Sequence, residues 1–115
     1  MFALMVFLVA LTQTQSSKRT FKQCVDESNI SFQHLEDLLV GTSFANNTAV
    51  HAFCFCQLER LDLMTGDGKV HLSPLKRMCQ EYKTEECEEF DKCERLTGRT
   101  KEETAFLIYK CIFPL

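Results

Sequence analysis

The sequence predicts one all-α domain cross-linked by disulfides, and three observations predict it. Apolar residues recur at helical spacing, whereas the alternation that is typical of strands is scarce. Signals for the start and the end of helices follow one another along the chain. The 115 residues include seven cysteines, and a chain of this size usually supplements its modest core with disulfides. We therefore expect five or six short helices joined by loops of a few residues.

The N-terminal segment, residues 1–17, is expected to be a secretory signal peptide that is cleaved at about residues 15–17. The stretch from Phe2 to Leu11 is apolar and is followed by small and polar residues, which is the order seen in signal peptides. An uncleaved membrane anchor is less favoured, because a bilayer span needs about 20 apolar residues. The mature domain is expected over residues 18–115, secreted and not inserted in a membrane.

Three helices are predicted in the first half of this domain. One is expected over 18–27, around Cys24. For the second helix, Ser31 is a suitable N-cap and Gly41 a suitable C-cap. The third is predicted over 48–62. Almost its whole surface is small or apolar, so we expect it to be the central helix of the domain.

Three more helices are predicted in the second half, after a tight turn at 65–69, "TGDGK". Ser73 is the expected cap of the fourth helix, with Pro74 at its first position. Its expected buried stripe is Leu75, Met78, Cys79 and Tyr82. The fifth helix is expected to start with the acidic residues 84–86 and to stop near Gly98. A capping box begins the last helix at Thr100, and its expected stripe is Phe106, Tyr109 and Phe113.

The motif search indicates no metal, no cofactor and no enzymatic activity. Cys54 and Cys56 are too close for the usual spacing of structural zinc ligands, and on a helix they point about 200° apart. The segment "MTGDGKVHLSPL" has Asp67-Gly68 where a calcium loop has its middle. The first and last ligand positions would then fall on Leu63 and Pro74, whose side chains have no oxygen, so calcium is excluded. No nucleophile motif is present. The net charge of −3, with basic and acidic residues interspersed, also argues against nucleic acid as a partner.

Two sequons, Asn29-Ile30-Ser31 and Asn46-Asn47-Thr48, lie in predicted loops. Asn29 and Asn46 are therefore candidate N-glycosylation sites.

The spacing of the cysteines carries a resemblance to a known family. Between Cys24 and Cys56 lie 31 residues, and between Cys56 and Cys93 lie 36. Two segments add to the resemblance. They are "CQLERLDLMTGDGKVHL", which begins at Cys56, and "ERLTGRTKEETAFLIYKCIFP". From Cys24 to its end, the chain resembles the insect odorant-binding proteins, which are small, secreted, all-helical carriers of apolar ligands.

This resemblance implies two disulfides. Its first and third cysteines fall on Cys24 and Cys56, and its fourth and sixth fall on Cys93 and Cys111. The implied bonds are Cys24–Cys56 and Cys93–Cys111.

The second and fifth family cysteines fall on Ala52 and Glu102, so both halves of one family disulfide are missing. That joint loss resembles the minus-C subgroup. Three cysteines lie outside the pattern, and a replacement bridge among them is plausible: Cys54, Cys79 and Cys87. A rival alignment by order alone would make Cys54, Cys87 and Cys93 the second, fourth and fifth cysteines. It ranks lower because it needs a Cys-x-Cys pair and a closing gap of 17 residues.

The function implied by the resemblance is a soluble carrier that encloses a small hydrophobic ligand, such as an odorant, a pheromone or a lipid-like molecule, in an apolar cavity. Tyr109 is the expected polar contact, and a membrane receptor is a further expected partner. The candidate wall residues are Leu38, Phe53, Leu61, Met64, Met78, Phe90, Phe106, Tyr109 and Phe113.

The alternative is a secreted helical effector or signalling protein that acts on a protein partner and has no cavity. An odd number of cysteines slightly favours this alternative, because a spare thiol could link two chains. Both a monomer and a dimer are therefore compatible with the sequence.

Overall fold

A computed structural model describes residues 19–41, 44–82 and 87–113. Within these ranges the chain forms six α-helices and no strands, so the all-α prediction is confirmed. The helices are α1 (Phe21–Ser28), α2 (Phe32–Val40), α3 (Thr48–Arg60), α4 (Ser73–Glu81), α5 (Cys87–Glu94) and α6 (Lys101–Ile112). The predicted signal peptide at 1–17 and the predicted start of the fifth helix at 84–86 lie outside the described residues.

Local capping chemistry sets most of the helix ends. The hydroxyl of Ser31 accepts a hydrogen bond from the backbone N–H of His34, and that of Thr100 caps α6 in the same way. Gly41 ends α2 in the left-handed conformation, with φ 72°. These three assignments agree with the sequence prediction. The capping box of α1, at Thr20, starts that helix three residues later than expected.

The predicted start of α4 is wrong by one residue. Leu72 occupies the N-cap position without a side-chain cap, and Ser73 is the first helical residue. Pro74 therefore takes the second helical position. The fold tolerates this shift because N–H groups in the first turn of a helix have no intrahelical acceptor in any case.

The central helix is α3, as expected, and it packs against both α1 and α6. Apart from the cysteines and Ala105, six apolar side chains of the described residues are fully buried. Three lie on α3, two on α6 and one just before α4: Val50, Phe53, Leu58, Phe106, Ile108 and Leu72. Both α3 and α6 bury more than one stripe, because each is covered on more than one side. The core therefore lies chiefly between these two helices.

Three disulfides join the helices: Cys24–Cys56, Cys79–Cys87 and Cys93–Cys111. The first ties α1 to α3 and the last ties α5 to α6, and these are the pairs that the resemblance implies. The bond between Cys79 and Cys87 links the end of α4 to the start of α5 and is the bridge between cysteines outside the family pattern. Cys54 keeps a free thiol, which is fully buried.

The stripe predicted for α4 is wrong at two of its four residues. Met78 is 52% exposed and Tyr82 is 72% exposed. The helix turns its Lys76 and Cys79 side towards α5, where Lys76 forms ion pairs with two carboxylates. Met78 lies about 200° around the helix from Lys76 and so faces outwards. Tyr82 follows the last helical residue.

The inward placement of Leu61 is also wrong, because α3 ends at Arg60. Leu61 is the C-cap residue and is 42% exposed. Asp62 then takes a left-handed conformation with φ 61°, which turns the chain away from the helix axis.

The turn at 65–69 packs directly on the start of α6. Gly68 has φ 93°, and a Cβ added there would lie 2.9 Å from the Cβ of Lys101. The Lys101 ammonium donates a hydrogen bond of 3.0 Å to the carbonyl of Gly66. The tight turn predicted at 65–69 is thus present, and Gly68 takes in it a conformation that favours glycine.

Among the helices that the structure describes, none is both long and apolar enough to cross a bilayer.

Candidate functional site

Five of the nine predicted wall residues meet in one buried cluster. They come from four parts of the chain, namely α2, α3, the segment after α3, and α6: Leu38, Phe53, Met64, Phe106 and Tyr109. Each of the five is at least nine-tenths buried. Residues up to 71 positions apart in sequence (Leu38 to Tyr109) therefore share one apolar interior.

The structure does not bring the other four into this cluster. Leu61 and Met78 are exposed for the reasons given above, and Phe113 is exposed where α6 ends. The ring of Phe113 nevertheless lies against Tyr109, with ring centroids 4.8 Å apart. Phe90 is half-buried on α5.

Four fully buried members of the cluster are absent from the predicted wall residues: Val50, Leu58, Leu72 and Ile108. A signal for Ile108 exists in the sequence, since Ala105, Ile108 and Ile112 form a second helical stripe beside the aromatic one. Leu72 precedes α4 in a segment without periodicity, so no sequence pattern marks it.

The buried polar side chains near this cluster are hydrogen-bonded within the protein. Ser28 donates to the carbonyl of Val25, at 3.2 Å. The hydroxyl oxygen of Thr104 accepts from the backbone N–H of Gly98, at 2.8 Å. In the described ranges no fully buried side-chain nitrogen or oxygen lacks a partner. These groups are therefore committed to holding the fold.

The hydroxyl of Tyr109 differs from these groups, because it makes no hydrogen bond within residues 19–41, 44–82 and 87–113. Since every fully buried side-chain oxygen of that part of the chain has a partner, this hydroxyl must retain some contact with the outside. Burial, with a smaller contribution from the neighbouring Cys54, raises the pKa of Tyr109 to about 12. At neutral pH it is a neutral group able to donate a hydrogen bond at the edge of an apolar interior.

The thiol of Cys54 lies in the same apolar interior and is fully buried. Burial alone raises its pKa to about 12, so it is protonated at neutral pH and has little nucleophilic character. Neither this thiol nor the Tyr109 hydroxyl therefore brings a charge into the interior at neutral pH.

A different edge of the cluster carries basic groups around Phe106. The ring of His51 lies 4.5 Å from that of Phe106, centroid to centroid. The ammonium of Lys110 lies 4.8 Å from the centre of the same ring. Such a cation stabilises the aromatic face from the solvent side.

Three clefts at the surface differ in chemistry from this interior. One of about 470 Å³ is lined by charged residues that include Arg19, Glu59 and Asp62. A second, of about 270 Å³, lies between α3 and α6 and includes Ala52 and Glu102. Both are poor sites for an apolar molecule, because covering their charges would cost desolvation energy.

The third cleft, of about 280 Å³, is a shallow apolar groove on the outer side of α2. None of the three is the enclosed cavity that the resemblance implies, so that cavity remains a prediction. In the described part of the chain, no group of acidic, histidine and cysteine side chains is arranged to hold a metal ion.

The described residues thus form a small helical domain, linked by disulfides, with an apolar core. A profile of the PBP/GOBP family, the insect pheromone-binding and general odorant-binding proteins, matches residues 9–114. The chain belongs to this family, which consists of small carriers and not of enzymes. No curated protein and no solved structure matches the chain. Its three disulfides fit the extracellular setting of the family.

Proposed function

We propose that the mature protein is a secreted carrier that binds one small hydrophobic molecule in the apolar interior between α3 and α6. The observation that carries the proposal is the cluster of Leu38, Phe53, Met64, Phe106 and Tyr109, which places one uncommitted hydroxyl beside apolar side chains. Membership of a carrier family supports the same function.

Burial of ligand surface would supply most of the binding energy. At about 25 cal/mol per Å², a ligand that buries about 300 Å² of apolar area gains roughly 7 kcal/mol. Association and ordering subtract several kcal/mol from this gain. About 4 kcal/mol remains, which corresponds to a Kd of roughly 1 mM for a ligand of this size. A hydrogen bond from Tyr109 would orient the ligand, and a larger buried area would bind more tightly.

Entry of the ligand would occur at the Tyr109 end of the cluster. The ring of Phe113 covers Tyr109 and is itself 39% exposed, so its displacement would open a route to the interior. The disulfide between Cys93 and Cys111 would hold α6 against α5 while this end moves. Delivery to a membrane receptor is the step that such a carrier would serve.

The alternative, a secreted effector, was favoured by a spare thiol that could link two chains. Cys54 is the cysteine left over by the three disulfides, and it is fully buried. A thiol in that position cannot link two folded chains.

The test is binding of the fluorescent probe N-phenyl-1-naphthylamine to the refolded mature protein, followed by displacement with long-chain alcohols, fatty acids and terpenoids. A carrier gives saturable binding at one site that particular ligands reverse. The variant Leu39→Ser serves as a control, because it removes apolar area from the groove on α2 and leaves the interior unchanged. Absence of saturable binding to a protein that circular dichroism shows to be helical would contradict the proposal.

A further inference from the structure

The outer side of α2 carries a groove lined by one half-buried and three exposed apolar side chains, here called the α2 face: Leu35, Phe32, Leu39 and Val40. Phe32 is 81% exposed, and Leu39 and Val40 are each more than half exposed. The core side of the same helix is held by Leu38, which is 3% exposed. Apolar patches of this kind on a soluble protein usually mark a surface that something covers.

A second copy of the chain fits the α2 face poorly. Glu36 lies in the same groove, so a two-fold contact would bring its carboxylate close to the copy of itself. The face is also one side of a nine-residue helix. That area is well below the roughly 800 Å² per partner that a stable protein interface buries.

The sequon at Asn29 lies directly before this helix. Asn29 is exposed and takes a left-handed conformation with φ 58° at the junction of α1 and α2. It precedes Phe32 by three residues, which limits the distance between their Cα atoms to about 11 Å. A branched oligosaccharide on Asn29 therefore begins within reach of the most exposed side chain of the α2 face.

We propose that Asn29 carries an N-linked glycan and that this glycan covers the α2 face. The donor would be an oligosaccharide attached to a lipid diphosphate in the secretory pathway. The side-chain nitrogen of Asn29 forms a bond to the anomeric carbon of the sugar and loses one proton. The bond between that carbon and the diphosphate oxygen breaks, and the lipid diphosphate leaves with the electron pair. Nothing is oxidised or reduced.

Transfer of the sugar precedes folding of this junction. In the folded protein Ile30 is 7% exposed, and the hydroxyl of Ser31 accepts the N–H of His34. The middle and last residues of the sequon are thus committed to the fold. The side chain of Asn29 remains at the surface, so folding leaves room for the attached glycan.

The second sequon offers a matched control. Asn46 is exposed too, but its neighbour Asn47 lies 3.3 Å from the ring nitrogen of His34. His34 points about 200° around α2 from Phe32. A glycan on Asn46 would therefore lie on the other side of α2 and would leave the α2 face uncovered.

The test uses the full chain secreted from eukaryotic cells, with three single variants. Ser31→Asp removes the sequon and keeps an N-cap for α2, because aspartate is as good a cap as serine. Ser31→Thr keeps both the sequon and the cap. Thr48→Ala removes the second sequon only. Peptide mapping by mass spectrometry, before and after enzymatic release of N-glycans, reports which asparagine is modified.

We expect wild type, Ser31→Thr and Thr48→Ala to carry a glycan on Asn29 and Ser31→Asp to lose it. On a hydrophobic-interaction column, Phe32→Ser should shorten the retention of the Ser31→Asp protein, in which the α2 face is bare. The same change in the glycosylated protein should leave the retention unchanged, because the glycan already covers this side chain. An unmodified Asn29 in the secreted wild type would overturn the proposal. A glycosylated Asn29 together with an equal effect of Phe32→Ser on the glycosylated and the bare protein would overturn the covering role. Neither result bears on ligand binding in the interior.

Discussion

At the scale of single residues, Cys54 and Cys56 lie two positions apart on one helix, but only Cys56 is in a disulfide. Because they point about 200° apart, one could reach α1 and the other could not. Cys56 is bonded to Cys24, whereas Cys54 faces the interior beside Tyr109. The sequence predicted this divergence from helix geometry. It left open whether Cys54 would find a partner, since that depends on tertiary distances.

The raised pKa of Cys54 predicts a loss of stability at alkaline pH. In the unfolded chain the thiol ionises near its ordinary pKa of 9.0, whereas in the folded protein it ionises near 12. The stabilising effect is complete below pH 9 and is lost as the pH rises towards 12, because only the unfolded chain gains from ionisation in that window. The free energy of unfolding should fall there by up to about 1.4 kcal/mol per pH unit from this group.

Urea denaturation between pH 8 and pH 11 measures this slope. Cys54→Ala should show a shallower fall than the wild type, while the part that comes from Tyr109 remains. Equal slopes for the two proteins would show that the thiol is not desolvated.

Tyr109→Phe tests the polar end of the proposed site. The change removes one oxygen, and a neutral hydrogen bond contributes about 1 kcal/mol, so affinity for ligands with an acceptor oxygen should fall about fivefold. Hydrocarbon ligands of equal size should bind with unchanged affinity. Probe displacement by matched pairs of alcohol and alkane measures both. An equal effect on the two classes would assign Tyr109 to packing alone.

At the scale of elements, the helices themselves were predictable and the faces that they bury were predictable only in part. Ser31, Gly41 and Thr100 act through neighbours in sequence, so their patterns were sufficient. Met78 belongs to a stripe that periodicity reveals, but periodicity does not say which side of α4 meets another helix. The side of α4 that faces α5 carries Cys79, which is bonded to Cys87, and Lys76, which pairs with carboxylates 15 and 18 positions further along the chain.

The contact between α3 and α6 lacks the covalent link that the resemblance places at positions 52 and 102. Both residues line the cleft between these helices. Lys101, at the start of α6, instead lies 4.9 Å from the centre of the Phe55 ring on α3. Packing and this cation–aromatic contact thus hold the two helices where many relatives would have a disulfide.

The double variant Ala52→Cys with Glu102→Cys should therefore form a fourth disulfide. Loop-closure estimates give up to about 4 kcal/mol of added stability, with a smaller gain where existing bonds already restrict the unfolded chain. Non-reducing peptide mapping and thermal unfolding measure the bond and its effect, with Ala52→Ser, Glu102→Ser as the control. Two free thiols at these positions after oxidative refolding would contradict the proposed register with the family.

At the scale of the whole molecule, the resemblance supplied what local patterns could not. Seven cysteines permit many pairings, and the family spacing singled out the bonds of Cys24 and Cys93 that the structure contains. A bridge among Cys54, Cys79 and Cys87 was expected, but the pair was left open; the structure joins Cys79 to Cys87, where the end of α4 meets the start of α5. The interior was predicted at Phe53, Phe106 and Tyr109, which lie on strongly periodic helices. Leu72 lies outside any periodic segment and was found only from the structure.

The proposed carrier function requires an apolar ligand to bind in the interior between α3 and α6. The most direct test is a titration of isotope-labelled mature protein with the strongest displacing ligand, followed by two-dimensional nuclear magnetic resonance. We predict that the largest shifts fall on the ring and backbone signals of Phe53, Phe106 and Tyr109, saturate at one equivalent, and spare Phe32 and Leu39. Shifts confined to α2, or to the charged clefts around Arg19, would contradict the account.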